Sequence, residues 1–110
     1  FDYGDALLQA DLETVEIIAD IFIETWRREI EILRTSVNNQ DAPTVERTAH
    51  SLKGTLAAFC AEPATRVAGD LEVRARNKNL EGMTPEIDSL QREIELLEPH
   101  IRAISIKGSR

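Results

Sequence analysis

The stretch Asp41-Ala42-Pro43-Thr44-Val45-Glu46-Arg47-Thr48-Ala49-His50-Ser51-Leu52-Lys53-Gly54-Thr55-Leu56-Ala57-Ala58-Phe59 decides the fold. Val45, Ala49, Leu52, Leu56 and Phe59 recur at steps of four and three, the stripe of a helix with one apolar face. Asp41 is a good N-cap, Pro43 is tolerated in the first turn, and Glu46 follows further along. Pro63, early in the next segment, is expected to stop this helix near residues 60–62.

The same periodicity extends in both directions. Upstream, Val15, Ile18, Phe22, Trp26, Ile30, Leu33 and Val37 mark a long amphipathic helix over residues 13–37. At about 1.5 Å per residue it spans roughly 35–40 Å, and the polar Asn38-Asn39-Gln40 ends it. Before it, residues 5–9 carry Leu7 and Leu8 in a helix too short to stand alone. Downstream, Val67, Leu71 and Ala75 share one side of a helix that runs toward residues 77–79, with Gly82 ending the pattern. Thr84-Pro85-Glu86 supplies a cap, a first-turn proline and a first-turn acid. Ile87, Leu90, Ile94, Leu97 and Ile101 then face one way, and Pro99 either kinks this last helix or marks its fraying end. Four long helices, each with one apolar face, bury those faces together as an antiparallel four-helix bundle. The expected fold is therefore all-α, with residues 1–104 as the bundle, residues 5–9 capping one end and 105–110 as a tail. Phe1 in place of Met reads as a piece of something longer.

Composition narrows the function. The chain has 110 residues, enough for one domain with a hydrophobic core of its own. Twenty acidic against thirteen basic residues give a net charge of −7, which argues against a non-specific nucleic-acid binder. One cysteine excludes an intramolecular disulfide and a multi-cysteine zinc cluster. No apolar run approaches the roughly 20 residues that cross a bilayer. Two histidines leave little material for metal or acid–base chemistry.

One of those histidines is placed unusually. At about 100° per residue, His50 lies roughly 140° from the centre of its helix's apolar stripe, toward solvent. Gly54 sits one turn on, and an interior glycine costs a helix about 1 kcal/mol relative to alanine. Placed outward, Gly54 clears space beside the imidazole, and Ala57 and Ala61 are expected to extend that clearing into a low, flat patch. Arg47 and Lys53, three residues to either side, offset the charge of a phosphate attached to the ring.

The segment Ala49-His50-Ser51-Leu52-Lys53-Gly54 resembles the A-H-x-L-K-G signature of histidine-containing phosphotransfer (HPt) domains. Phe59 with Ala61, Leu71-Glu72, the long preceding helix with Phe22 and the Asp41 turn suit the same family, over essentially residues 1–104. Two departures stand out: Cys60 where glycine is common, and Pro63-Ala64 in place of a more helical stretch. The resemblance implies a phosphorelay carrier that takes a phosphoryl group from a receiver-domain aspartate and passes it to another receiver. His50 is then the nucleophile through Nε2, Lys53 neutralises phosphoryl oxygens and Gly54 gives access; Arg47 is added from helix geometry. Glu72 stands where some members carry a polar residue that orients the imidazole through Nδ1, unless it points to solvent. No cofactor of its own is implied, since Mg²⁺ belongs to the partner receiver. The remaining implications are a cytoplasmic, monomeric domain without nucleic-acid or membrane contact, excised from a hybrid sensor histidine kinase, and a carrier more than an enzyme.

Competing readings fit less of the sequence. The dimerising domain of a histidine kinase normally has an acid directly after its histidine and a proline a few residues on; here Ser51 follows His50 and no proline occurs until Pro63. A helical interaction module without phosphate chemistry explains the amphipathic helices but leaves Gly54 beside His50 as coincidence. His50, His100 and Cys60 share no metal-ligand spacing; His100 reads as surface and Cys60 as a small core filler. Glu86, Asp88, Glu93, Glu95 and Glu98 read as a solvated face. Ile17 and Ile21, off the main stripe, are covered by Leu7 and Leu8 or else form a patch for a partner helix.

Overall fold

A computed structural model describes residues 12–104; residues 5–9, with the expected capping helix, and the tail lie outside the described residues. Four helices form: α1 Leu12–Asn38, α2 Ala42–Ala58, α3 Glu62–Arg76 and α4 Thr84–Ile104, with no strand among the described residues. Each packs on the next and α1 closes against α4, while the diagonal pairs make no backbone approach. Side-chain pairs fix the antiparallel register. His50 meets Glu72 and Glu46 meets Arg76 between α2 and α3; Trp26 meets Glu98 and Arg34 meets Gln91 between α1 and α4. This is the up-and-down bundle that short loops between amphipathic helices enforce.

The core runs through Trp26, Ile30 and Leu33 of α1, Leu52 and Leu56 of α2, Leu71 of α3, and Ile87, Leu90 and Ile94 of α4. On α3 the buried stripe is Ala64, Ala68, Leu71 and Ala75. Val67, expected in that stripe, sits only partly buried against the core's edge. The alanines have a packing consequence: a face of methyl groups lets α3 lie close on α2, with which it packs most extensively. Phe22 and Phe59 meet edge to face at 5.7 Å between ring centres, closing the core beside the α2 terminus.

Helix ends hold the main differences from the sequence reading. Asp41 does cap α2, accepting from the Thr44 N–H at 3.3 Å and its hydroxyl at 2.6 Å. The helix stops at Ala58, earlier than residues 60–62, and Pro63 is not the cause. Cys60 takes a left-handed φ of 57°, its N–H bonds to the Ala57 carbonyl, and the Ala61 N–H reaches back to Leu56. That is a Schellman termination. Because the helical angle ends there, Ala61 turns inward and is buried, so it does not extend the outer clearing. Cys60 is exposed and fills no core space. The same termination recurs at Gln40 after α1 (φ 54°) and Lys78 after α3 (φ 59°). Thr84 is the first residue of α4 rather than its cap; the Met83 carbonyl accepts from the N–H groups of Glu86 and Ile87. Pro99 lies inside α4, which runs on to Ile104.

Nor are three of the five α4 acids simply solvated. Glu86 pairs with Arg74 and Asp88 with Arg34 at 2.8 Å. Glu98 accepts from the Trp26 indole N–H at 2.8 Å, from Arg27 at 3.0 Å and from Arg102 at 3.4 Å. These contacts tie α4 to α1 and α3.

Candidate functional site

His50 projects from the middle of α2 with its side chain 69% exposed, while Glu72 on α3 is 5% exposed and faces it. The Leu71 and Ala75 stripe turns Glu72 to the flank of α3 that meets α2, and the alanine face brings the helices close enough for contact. Glu72 Oε2 lies 2.8 Å from His50 Nδ1. Lys53, one turn along α2, places Nζ 2.6 Å from Oε1, an ion pair by distance that lacks hydrogen-bond alignment. Arg76, one turn along α3, donates to Oε2 at 3.0 Å and to Glu46 at 3.1 Å, so it spans both helices.

Burial pushes the Glu72 pKa up, but the close Lys53 ammonium and the His50 hydrogen bond outweigh it and hold the carboxyl below its ordinary 4.5. An ionised carboxylate only accepts, so the proton in the short contact belongs to Nδ1. In the neutral ring the lone pair then sits on Nε2, the nitrogen on the opposite edge from Glu72. That arrangement makes an exposed, oriented nitrogen nucleophile.

The other expected site residues fall around it. A Cβ built at Gly54 meets nothing within 4 Å, so the surface beside the ring is open. Arg47 is exposed, bonds back to Thr44 at 3.5 Å, and shares with His50, Glu72 and Arg76 the wall of a shallow hollow of about 370 Å³. Of the two cations expected beside the ring, Lys53 is thus paired with Glu72 and Arg47 stays exposed at the rim. Arg76 and Glu46 were missed by the sequence reading; the four-residue step from Glu72 to Arg76 on one helix was the available signal. Gly69 was missed as well: its empty Cβ position lies 3.5 Å from the Lys53 stem, which therefore runs flat across α3 toward Glu72.

On the α1 side of the same face a groove of about 230 Å³ runs between Ile18, Ile21, Phe22 and Thr25 of α1 and Ser51 and Thr55 of α2. Ile21 is 55% exposed there and Ile17, one turn before it, 48%. Their expected cover by Leu7 and Leu8 lies outside the described residues. His100 is exposed on α4 and takes no part in the site.

A helical bundle with an exposed histidine backed by a buried carboxylate belongs to a recognisable class of signalling domain. The family model described as Hpt domain matches residues 18–100, most of the chain. The chain therefore belongs to the Hpt domain family. That places it in two-component phosphorelays, where Hpt domains perform histidine phosphotransfer and interact with receiver domains. Searches of curated proteins and of solved structures gave no match. Among the described residues no helix is long and apolar enough to cross a membrane.

Proposed function

We propose that this domain is a phosphoryl carrier that takes the group on His50 Nε2 from a receiver aspartate and returns it to the aspartate of another receiver. The observation that carries the reading is the 2.8 Å contact between Nδ1 of an exposed His50 and the buried Glu72 carboxylate. It sets the tautomer and points the free nitrogen at solvent. In the transfer, the Nε2 lone pair attacks phosphorus, the phosphorus–oxygen bond to the aspartyl carboxylate breaks, and the carboxylate departs with that electron pair. The Nδ1 proton stays in its bond to Glu72, which offsets the positive charge the ring gains. Lys53 turns from Glu72 toward the phosphoryl oxygens, Arg47 adds charge at the rim, and Gly54 lets the receiver approach. Positioning and charge dominate phosphoryl transfer. Mg²⁺ on the receiver supplies the rest, and the carrier brings no cofactor. The groove between α1 and α2 beside His50 is the receiver's landing surface.

The test is to mix the domain with a phosphorylated receiver and follow the label. Transfer to an acid-labile, base-stable phosphoramidate, absent in His50→Gln, is expected. Label that survives acid, or that persists in the variant, would sink the proposal.

A further inference from the structure

The groove between α1 and α2 holds a carboxylate to which no described residue donates a hydrogen bond. Glu29 of α1 is half-buried against it, next to Ser51 and Thr55. The hydroxyls nearby give it no donor: Thr25 donates to the Ile21 carbonyl at 2.9 Å and Thr55 to the Ser51 carbonyl at 3.2 Å, each within its own helix. Burial pushes the Glu29 carboxyl up, and the adjoining Arg28 charge only partly offsets this. Glu72 and Glu98 face the opposite balance, with donors that outweigh burial. A protein laid over the groove strips the remaining water from Glu29, and a carboxylate desolvated without a partner opposes binding.

Resting on the phosphocarrier reading, we infer that Glu29 is a specificity-determining residue, met by a Lys or Arg of the docking receiver beside apolar side chains that enter between Ile18, Ile21 and Phe22. The groove is apolar at one end and carboxylate at the other, so the complementary surface is apolar with one cation. A receiver with an acid or an aliphatic residue at that point is rejected, because it leaves Glu29 covered and unpaired. The apolar contacts hold the receiver on the groove, and the charge selects among receivers.

The experiment measures single-turnover transfer from the phosphorylated receiver of the preceding assay against receiver concentration. Rates are normalised to labelling by phosphoramidate, a small donor that reaches His50 without docking. Glu29→Gln is expected to raise the half-saturating receiver concentration about tenfold, as for loss of one desolvated charge pair, and to weaken its dependence on salt. Glu29→Lys should raise it further, and a Lys→Glu or Arg→Glu change at the facing receiver position should restore it. Equal half-saturation for wild type and Glu29→Gln overturns the inference while leaving the carrier intact. A Glu29→Gln loss of the same size with phosphoramidate overturns it too, since the defect then lies at His50. A wild type that takes no label from the receiver removes the carrier reading, and this inference with it.

Discussion

Glu72 and Glu98 are the same electrostatic device at two helix interfaces. Each is a largely buried carboxylate, 5% and 17% exposed, that gathers donors from its own helix and from the antiparallel neighbour. In each, burial raises the pKa and the donors more than reverse it, leaving the carboxyl below its ordinary value. The donors differ. Glu98 is held by an indole and two guanidinium groups, none a nucleophile, and the Trp26 ring is buried under Arg27 at 4.3 Å. Glu72 is held by one guanidinium too, that of Arg76, but also by an imidazole and an ammonium that are open to solvent at 69% and 39%. A buried carboxylate is thus a lock when its partners end at the bond, and an orienting device when a partner has a second nitrogen facing out. Comparing α2–α3 with α1–α4 separates function from stability within one bundle.

The largest expected effect breaks the open side of that comparison. Gly54→Leu fills the open surface beside His50, where an added Cβ meets nothing within 4 Å, so circular dichroism should show the same fold and Tm should hold or rise by a few degrees as an interior glycine is lost. Transfer from a receiver should fall at least about a hundredfold, since small displacements of the reacting groups cost that much. Next is a crossed pair of substitutions. Glu72→Ala releases the imidazole and should slow transfer by about ten- to a hundredfold, the loss usual for a carboxylate that orients a metal-bound histidine. Glu98→Leu strands the buried Trp26 N–H and should cost about 2 kcal/mol, roughly 10 °C in Tm, with transfer per folded molecule retained. Equal effects of both substitutions on transfer would erase the distinction.

Acid should weaken both sites together. Because the folded-state pKa values of Glu72 and Glu98 are lowered, the unfolded chain takes up protons first as pH falls. Their stabilisation is complete above about pH 4.5, the ordinary value, and is lost as pH drops through the folded values. Urea midpoints should therefore fall between pH 7 and pH 3.5. The double variant Glu72→Gln and Glu98→Gln should show a smaller fall.

Much of this was legible in the sequence, for identifiable reasons. Apolar steps of three and four placed all four helices, and the angular offset of His50 put it outside before any contact was known. Glu72 beside His50 was legible only through the resemblance, because its place depends on how near α3 comes to α2, and that nearness comes from alanines that hydropathy hardly weights. Val67 drew attention as the larger apolar residue, while Ala64 and Ala68 carried the packing. The α4 acids read as solvated because acids on a polar face usually are; Trp26 and Arg27, which hold Glu98, lie some seventy residues away in sequence. Helix ends were the least readable part, since left-handed terminations are sought at glycine and here fall on Gln40, Cys60 and Lys78.

Those ends supply the smallest effect, and a control for both sides of the comparison. A left-handed backbone costs a residue with a Cβ about 1–2 kcal/mol, whereas glycine adopts it freely but loses more chain entropy on folding, about 0.5–1 kcal/mol. Cys60→Gly keeps both terminal hydrogen bonds, from Cys60 N–H to Ala57 and from Ala61 N–H to Leu56, and removes an exposed thiol that makes no core contact. The balance favours glycine by about 0.5–1 kcal/mol, a rise of a few degrees in Tm. Cys60 follows α2 at the end away from Glu46 and Arg76, so transfer should be unchanged. An unchanged or lower Tm would mean that the left-handed turn is not what ends α2, and that its early stop at Ala58 is set by the packing of Phe59 on Phe22.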